Sequence, residues 1–364
     1  RIPWTEKPTA QVMGTFCEND GAPSRVDPRN VLGAVCAKLK KEGLLPIAAL
    51  ELEFYLIDPN RTPNGGVQPP ILFSSGRRAK DAQVYSISDI ESSSGFLESV
   101  SRACEEQDID LGAASTEYAC GQYEINLHHL DDLQVAADQA VLLQRVVRGT
   151  ARQYGLAATF MAKPYPEDAG SGLHIHLSAL NDRGENIFDS GDEFGSETLR
   201  HAIGGLLESL PESMALFAPN VNSYRRFVSN LFVPTHRSWG YNNRSVAVRI
   251  PTGSCQSRRL EHRVSGADAN PYLVLAAILA GAHHGIKKQL DPGDARVGNV
   301  CSGKDPCLPF SWQHAIDKLS NGQILEKYLG EEYLNLYRLT KQAEHDYFYS
   351  QMSALEYEWY LNHI

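Results

Sequence analysis

The chain has 364 residues, of which 42% are hydrophobic and 21% charged. That is enough apolar material for one large domain or two smaller ones, and it excludes a disordered chain or a disulfide-stapled miniature. Thirty-four Lys and Arg against 44 Asp and Glu give a formal net charge of −10, which argues against nucleic acid or an anionic membrane as a partner. The 7 cysteines form no Cys-x-x-Cys pair and no regular framework, so they read as reduced thiols of a cytosolic protein. The longest apolar run, Tyr272 to Ala282, is too short to cross a bilayer, and no signal peptide is expected. The chain opens on Arg1 rather than Met, and we expect a leading segment before it.

In chain order, Thr9 to Cys17 is predicted as a lone strand, followed by a polar link from Glu18 to Arg25. Asp27 caps a helix with Pro28 in its first turn, an apolar stripe of Val31, Leu32, Val35, Cys36 and Leu39, and Gly43 as its stop. Ala48–Ile57 is a strand, Asp89 to Gln107 a helix, and strands follow around Tyr118 and over Tyr123–Leu127. A long helix covers Asp131 to Tyr154, stopped by Gly155. Leu156–Ala162 is strand-like, Lys163–Gly172 is a Pro/Gly loop, and His174–Leu180 is a strand turning at Asn181–Gly184. A helix spans Glu197 to Leu210. Strands at Val246–Ile250 and Arg259–Val264 precede a helix opened by Asn270-Pro271, and the tail is helical. Interspersed elements with hairpin signals imply an α+β fold with an antiparallel sheet rather than a doubly wound one.

Acidic and imidazole side chains recur on these strands. In Leu-Glu-Leu-Glu-Phe-Tyr-Leu the period of two puts Glu51 and Glu53 on one face and Leu50, Leu52, Phe54 and Leu56 on the other. The same alternation describes any half-exposed antiparallel strand. Glu117 and Glu124 flank a turn at Gly121 that can bring them together. His174 and His176 share a strand face, as do Arg259, Glu261 and Arg263. Five glutamates and a histidine suit Mg²⁺ or Mn²⁺ better than structural zinc. Arg225, Arg226, Arg244, Arg249, Arg258, Arg259 and Arg263 offer forks for phosphate or carboxylate. Two cations beside an arginine clamp fit phosphoryl transfer. No Walker A sequence is present, so a nucleotide would be held without a P-loop.

Six motifs in order make the chain resemble the glutamine synthetase superfamily over nearly its whole length: ELEFYL, GQYEINL, KPYPEDAGSGLHIHLS, NSYRR, NNRSVAVRIP and RRLEHRVSGADANPYL. The resemblance implies a partial N-terminal β-grasp domain over residues 1–22 and a catalytic domain over 23–364 whose antiparallel strands line a funnel-shaped site. It implies a cytoplasmic enzyme assembled as stacked rings, often dodecamers. Carried over by position, Glu53, Glu117 and Glu124 correspond to ligands of one divalent cation, and Glu51, His174 and Glu261 to ligands of a second. His176, Ser178, Arg244, Arg249 and Arg259 correspond to ATP-binding residues, and Gly170, Arg226 and Arg263 to glutamate-binding ones. Arg244 and Arg263 act in catalysis on this reading. The implied reaction has two steps: the γ-carboxylate of glutamate attacks the ATP γ-phosphate, and an amine then displaces phosphate from γ-glutamyl phosphate.

The departures from the family pattern bear on the amine. Where glutamine synthetases carry a histidine before the GQ(Y/N)E glutamates, this chain has Ser115; where they carry a flap glutamate, it has Phe232; a loop asparagine is Ala169. A phenyl ring suits an alkyl chain, whereas ammonium wants anionic walls. The pattern is most similar to the γ-glutamyl-amine ligases, especially γ-glutamylpolyamine (γ-glutamylputrescine) synthetases. An ordinary glutamine synthetase using ammonia is the alternative, and a non-catalytic structural relative a more distant one.

Overall fold

The computed structural model describes residues 1–71, 76–80, 84–228 and 231–362. In chain order the elements are α1 (Pro28–Lys41), β1 (Leu45–Ile57), α2 (Ile87–Ser92), α3 (Ser94–Glu105), β2 (Leu111–Thr116), β3 (Gln122–Leu127), α4 (Leu133–Gln153), β4 (Ala157–Thr159), β5 (Leu173–Leu180), α5 (Glu197–Phe217), α6 (Val221–Tyr224), β6 (Trp239–Tyr241), β7 (Val248–Ile250), β8 (Leu260–His262), α7 (Pro271–Lys288), α8 (Trp312–Ser320), α9 (Glu326–Leu329), α10 (Glu331–Ser350) and α11 (Ala354–Tyr360).

The strands make one sheet in the order β2-β3-β1-β5-β8-β7-β6, with β4 also paired to β1. All described pairings are antiparallel except β6 with β7. This is the α+β fold expected from the sequence. β1 is central and alternates as its sequence demands: Leu50, Leu52 and Phe54 are buried, while Glu51 and Glu53 are only partly so. The apolar face of β1 rests on α4 and α1, and Leu32, Val35, Leu143 and Val147 of these helices share one continuous core with Leu206 of α5 and Leu275 of α7. The acidic face is left for the site.

Several elements differ from expectation. Thr9 to Cys17 is not a strand; only an isolated bridge joins Cys17 to Pro23. No strand among the described residues pairs with that segment, and a strand is not stable alone. The helix expected over Asp89 to Gln107 is broken at Ser93, which closes α2 and opens α3. Tyr118 lies in the turn between β2 and β3 rather than in a strand. β2 itself, Leu-Gly-Ala-Ala-Ser-Thr, is an exposed edge strand with an irregular register between Leu111 and Ala114, and its small residues give little β signal. α5 runs on through Pro211 to Phe217 instead of stopping at Leu210. α5 and α7 touch backbone to backbone at Gly205, where a Cβ would collide with the carbonyl oxygen of Gly281. That packing outweighs the lost hydrogen bond at the proline.

α1, α4 and α7 are joined at Asp138, a 9% exposed residue of α4. Arg29 donates to it from Nε and Nη2 at 3.0 Å each, and the Tyr272 hydroxyl adds a third hydrogen bond. Asp138→Ala strands a guanidinium and a buried phenol together. It should lower the free energy of urea unfolding by about 2–3 kcal/mol, with Asp138→Asn costing less. An unchanged unfolding midpoint in Asp138→Ala would show that the cluster does not tie the helices.

Candidate active site

The sheet registers decide which acids meet. Glu53 of β1 lies directly opposite Glu124 of β3, and Glu124 in turn opposite Ser115 of β2. Glu51 lies opposite His174 of β5. His176 lies opposite Glu261 of β8, and Glu261 opposite Arg249 of β7. Directly opposed residues share a face, so neighbouring rows on one face of the sheet carry the acids, imidazoles and arginines together. Glu117 joins from the end of β2. The turn that returns it beside Glu124 needs Gly121, which has φ 75° and would collide with Leu56 and Pro70 if it bore a Cβ.

A cavity on this face is lined by Glu51, Glu53, Glu117, Glu124, His174, Glu261, Gly170, Arg226, Phe232, Arg244, Arg249 and Arg263. Each of these twelve is a sequence candidate. His176, Ser178 and Arg259 line a second cavity of about 360 Å³, a size suited to a small ligand. Glu51 lines both cavities, so they meet at its carboxylate. Two of the arginines noted in the sequence lie elsewhere: Arg225 is exposed, and Arg258 is turned to the Asp192 carbonyl at 2.9 Å.

The contacts order the charges. Arg259 Nε donates to His176 Nδ1 at 3.1 Å. A guanidinium can only donate, so the neutral imidazole carries its proton on Nε2, which sits 2.6 Å from Glu51 Oε1. Arg249 donates to Glu261 Oε2 at 2.8 Å, and Arg263 pairs with the other oxygen of the same carboxylate. Glu53 Oε2 accepts the backbone N–H of Gly172 at 2.7 Å. Gly170 has no room for a side chain: a Cβ would strike the Arg226 stem and the Ala162 carbonyl. Arg226, 3% exposed, gives one arm to the Val264 carbonyl at 2.9 Å and leaves its buried Nε without a partner.

These contacts divide the acids. Burial alone would raise Glu261, but the charge of the paired Arg263 guanidinium outweighs it and brings its carboxyl down to about 2. Glu51 is buried too, yet His174 and His176 hold it well below the usual carboxylate range. Glu124 has no cation against it: burial and the charges of Glu51, Glu53 and Glu117 push it up to about 9. Burial and Glu53 raise Glu117 to about 7, although Arg244 and Arg263 pull the other way.

The residues fit a hard divalent cation. His174 Nδ1 is buried and has no hydrogen bond, yet faces Glu51 Oε2 at 3.4 Å and Glu261 Oε1 at 3.9 Å, while its Nε2 is 3.9 Å from Glu53. Such spacings are long for hydrogen bonds and near those of ligands sharing one ion. Among the described residues, the ligand atoms closest to one another fall into two groups: Glu51, Glu124 and His174, and Glu51, His176 and Glu261. His176 therefore stands as near to the acids as His174 does, although the resemblance implied a role for it at ATP alone. Glu53 and Glu117 line the cavity but stand outside both groups.

Tyr85, Tyr118, Gln122 and Val233 on the first cavity, and His128, His129 and Asn186 on the second, were not singled out by pattern or motif. Tyr118 stacks on Phe232 with ring centroids 6.0 Å apart, so the pair forms an aromatic wall beside the acids. Tyr85 donates nothing to the acids, but its hydroxyl accepts a 2.9 Å hydrogen bond from Arg244.

The family model for the glutamine synthetase catalytic domain matches residues 25–360. The chain is 42% identical over 351 residues to the gamma-glutamylputrescine synthetase of Escherichia coli (strain K12), covering 96% of this chain and 74% of that protein. It is 35% identical over 301 residues to a glutamate–isopropylamine ligase of a Pseudomonas species, covering 82% of this chain and 64% of that one. The solved structure of ligand-free GmaS superposes with a TM-score of 0.82 at 30% identity, covering 94% of this chain and 78% of that chain.

A cation bound among the acids would take the place of the protons on Glu117 and Glu124. Both groups sit above the ordinary carboxylate value in the fold. Without metal they therefore cost stability progressively as pH rises from about 4.5 toward 9, and a metal relieves that cost. The rise in thermal midpoint on adding Mg²⁺ or Mn²⁺ should be larger at about pH 8 than at about pH 6, and Glu124→Gln should shrink the difference. An equal rise at both pH values would remove these carboxyls from the metal site.

Proposed function

The chain belongs to the glutamine synthetase family, and we propose that it joins the γ-carboxylate of glutamate to an alkyl amine or polyamine, driven by ATP and passing through γ-glutamyl phosphate. It is an ATP-dependent glutamate–amine ligase. The observation that carries the choice of amine is the aromatic wall of Phe232 and Tyr118 on the acidic cavity. The relatives named for putrescine and isopropylamine support it.

In this reading the second cavity takes the nucleotide, with His176, Ser178 and Arg259 along it and Glu51 at its junction with the acids. Arg244 and Arg249 reach the transferred phosphates from the first cavity. Arg226 and the backbone at Gly170 hold glutamate, the buried guanidinium pairing with a substrate carboxylate. Arg263 is fixed by Glu261 and by the Arg244 carbonyl, its Nε lying 3.2 Å from that oxygen. It can therefore meet phosphoryl charge without reorganising. Mg²⁺ or Mn²⁺, held by Glu53, Glu117 and Glu124 and by Glu51, His174 and Glu261, supplies the positive charge that lets an anionic nucleophile approach a polyanion. Glu124→Ala should then abolish phosphoryl transfer and not merely weaken amine binding.

Residues 23–364 form the catalytic domain on this reading, and the enzyme acts in the cytoplasm. No helix among the described residues is long and apolar enough to cross a membrane. A ring assembly, such as a dodecamer, is supported by the C-terminal arm. On α10 and α11, Phe348, Tyr349, Tyr357, Trp359 and Tyr360 are all exposed, and apolar surface of that kind calls for a covering partner. Native mass spectrometry should find a closed oligomer; a monomer at micromolar concentration would remove the ring assignment.

The activity is tested by phosphate release with glutamate, ATP and either putrescine or ammonia. Two methylenes against the phenyl wall contribute about 1.6 kcal/mol, or roughly fifteen-fold in kcat/KM. The enzyme should prefer putrescine by at least that factor, and Phe232→Glu should lower the preference. A preference for ammonia in the unaltered enzyme makes it an ordinary glutamine synthetase. Unchanged values in Phe232→Glu leave the ligase reading standing and take Phe232 out of the amine pocket.

A further inference from the structure

Asn242 follows β6 and has φ 45°, in the left-handed region. Most side chains avoid that region, and asparagine is among the few that enter it. Its backbone is pinned there, because its N–H donates to the carbonyl of Ile250, the last residue of β7, at 2.8 Å. Its side chain is also engaged: Oδ1 accepts from Arg249 Nη2 at 2.8 Å. The other terminal nitrogen of Arg249 donates to Glu261 Oε2, also at 2.8 Å. The guanidinium is thus held at both ends, by an amide from one side and a carboxylate from the other. Between them its buried Nε has no partner, and the side chain lines the acidic cavity.

We infer that Asn242 is a positioning residue that holds the Arg249 guanidinium in place for the phosphates of the nucleotide. The inference rests on the reading of Arg249 given under the proposed function. The alternative partner for the free arm of Arg249 is Glu261, which already carries Arg263. An arginine can take a carboxylate with both arms in parallel. Without the amide, Arg249 turns onto Glu261, away from the phosphates, and covers carboxylate oxygens needed elsewhere. The left-handed backbone brings the amide to Arg249, and asparagine tolerates that backbone while supplying a neutral acceptor.

Two variants separate position from fold. Asn242→Gly keeps the left-handed backbone without strain and deletes the acceptor. Asn242→Asp keeps an acceptor and tolerates the same φ. In Asn242→Gly the thermal midpoint should hold or rise, while KM for ATP rises about tenfold, with KM for the amine unchanged. Asn242→Asp should return KM for ATP to within about threefold of the unaltered enzyme. The inference is overturned if Asn242→Gly keeps the original KM for ATP, or if its KM for ATP and KM for the amine rise together. It is equally overturned if Asn242→Asp is no better than Asn242→Gly. Calorimetry with ADP keeps the two readings apart. An unaltered enzyme that does not bind ADP defeats the ligase reading and this inference with it. Binding that Asn242→Gly leaves unchanged defeats the inference alone.

Discussion

Glu53 and Glu124 stand directly across from one another on paired strands, with Glu51, Glu117 and Glu261 beside them on the same face. Like charges so placed repel, and burial strengthens the repulsion. The protein offsets only one side of the cluster. Glu261 and Glu51 are met by arginine and histidine and stay ionised, whereas Glu124 and Glu117 are left to rise toward neutrality. Such a divided set of carboxylates is costly to fold and has no structural use that apolar residues would not serve better. A divalent cation bound among them would make it favourable.

The rest of the architecture supports that face. The same alternation that aims Glu51 and Glu53 outward sends Leu50, Leu52 and Phe54 into the core against the helices. The strand is therefore fixed in register by its apolar side, and a slip of one residue would exchange the two faces. Arginines are held in turn by the acids: Glu261 takes Arg249 and Arg263, and each arm is kept in place before any substrate arrives. The aromatic pair Tyr118 and Phe232 sits beside these charges, so one cavity offers cation ligands, anion-binding forks and a surface for methylenes.

Much of this was legible in the sequence because it is periodic or local. Period-two alternation in Leu50–Leu56 gives both the strand and its acidic face, and Asp27-Pro28 and Asn270-Pro271 give the starts of α1 and α7, where the structure shows side-chain caps. The six ordered motifs brought the acids, histidines and arginines to one family site before any contact was visible. What the sequence hid depends on distant partners. Tyr118 becomes part of the site only because the turn at Gly121 sets it against Phe232, more than a hundred residues later. Asn242 matters through its φ and through Arg249, neither of which a composition or spacing reveals. The helix through Pro211 was hidden for the opposite reason: a strong local stop signal was overridden by glycine contacts with α7. β6 was invisible as three residues whose pairing with β7 is parallel.

Whether the acidic face holds divalent cations can be seen in a crystal structure of the Mn²⁺-loaded enzyme with anomalous scattering. Two anomalous peaks are expected in the cavity, one within about 2.0–2.6 Å of Glu53, Glu117 and Glu124 and the other at the same range from Glu51, His174 and Glu261. An enzyme soaked in millimolar Mn²⁺ that shows no peak among these side chains would leave the acidic face without a metal to hold.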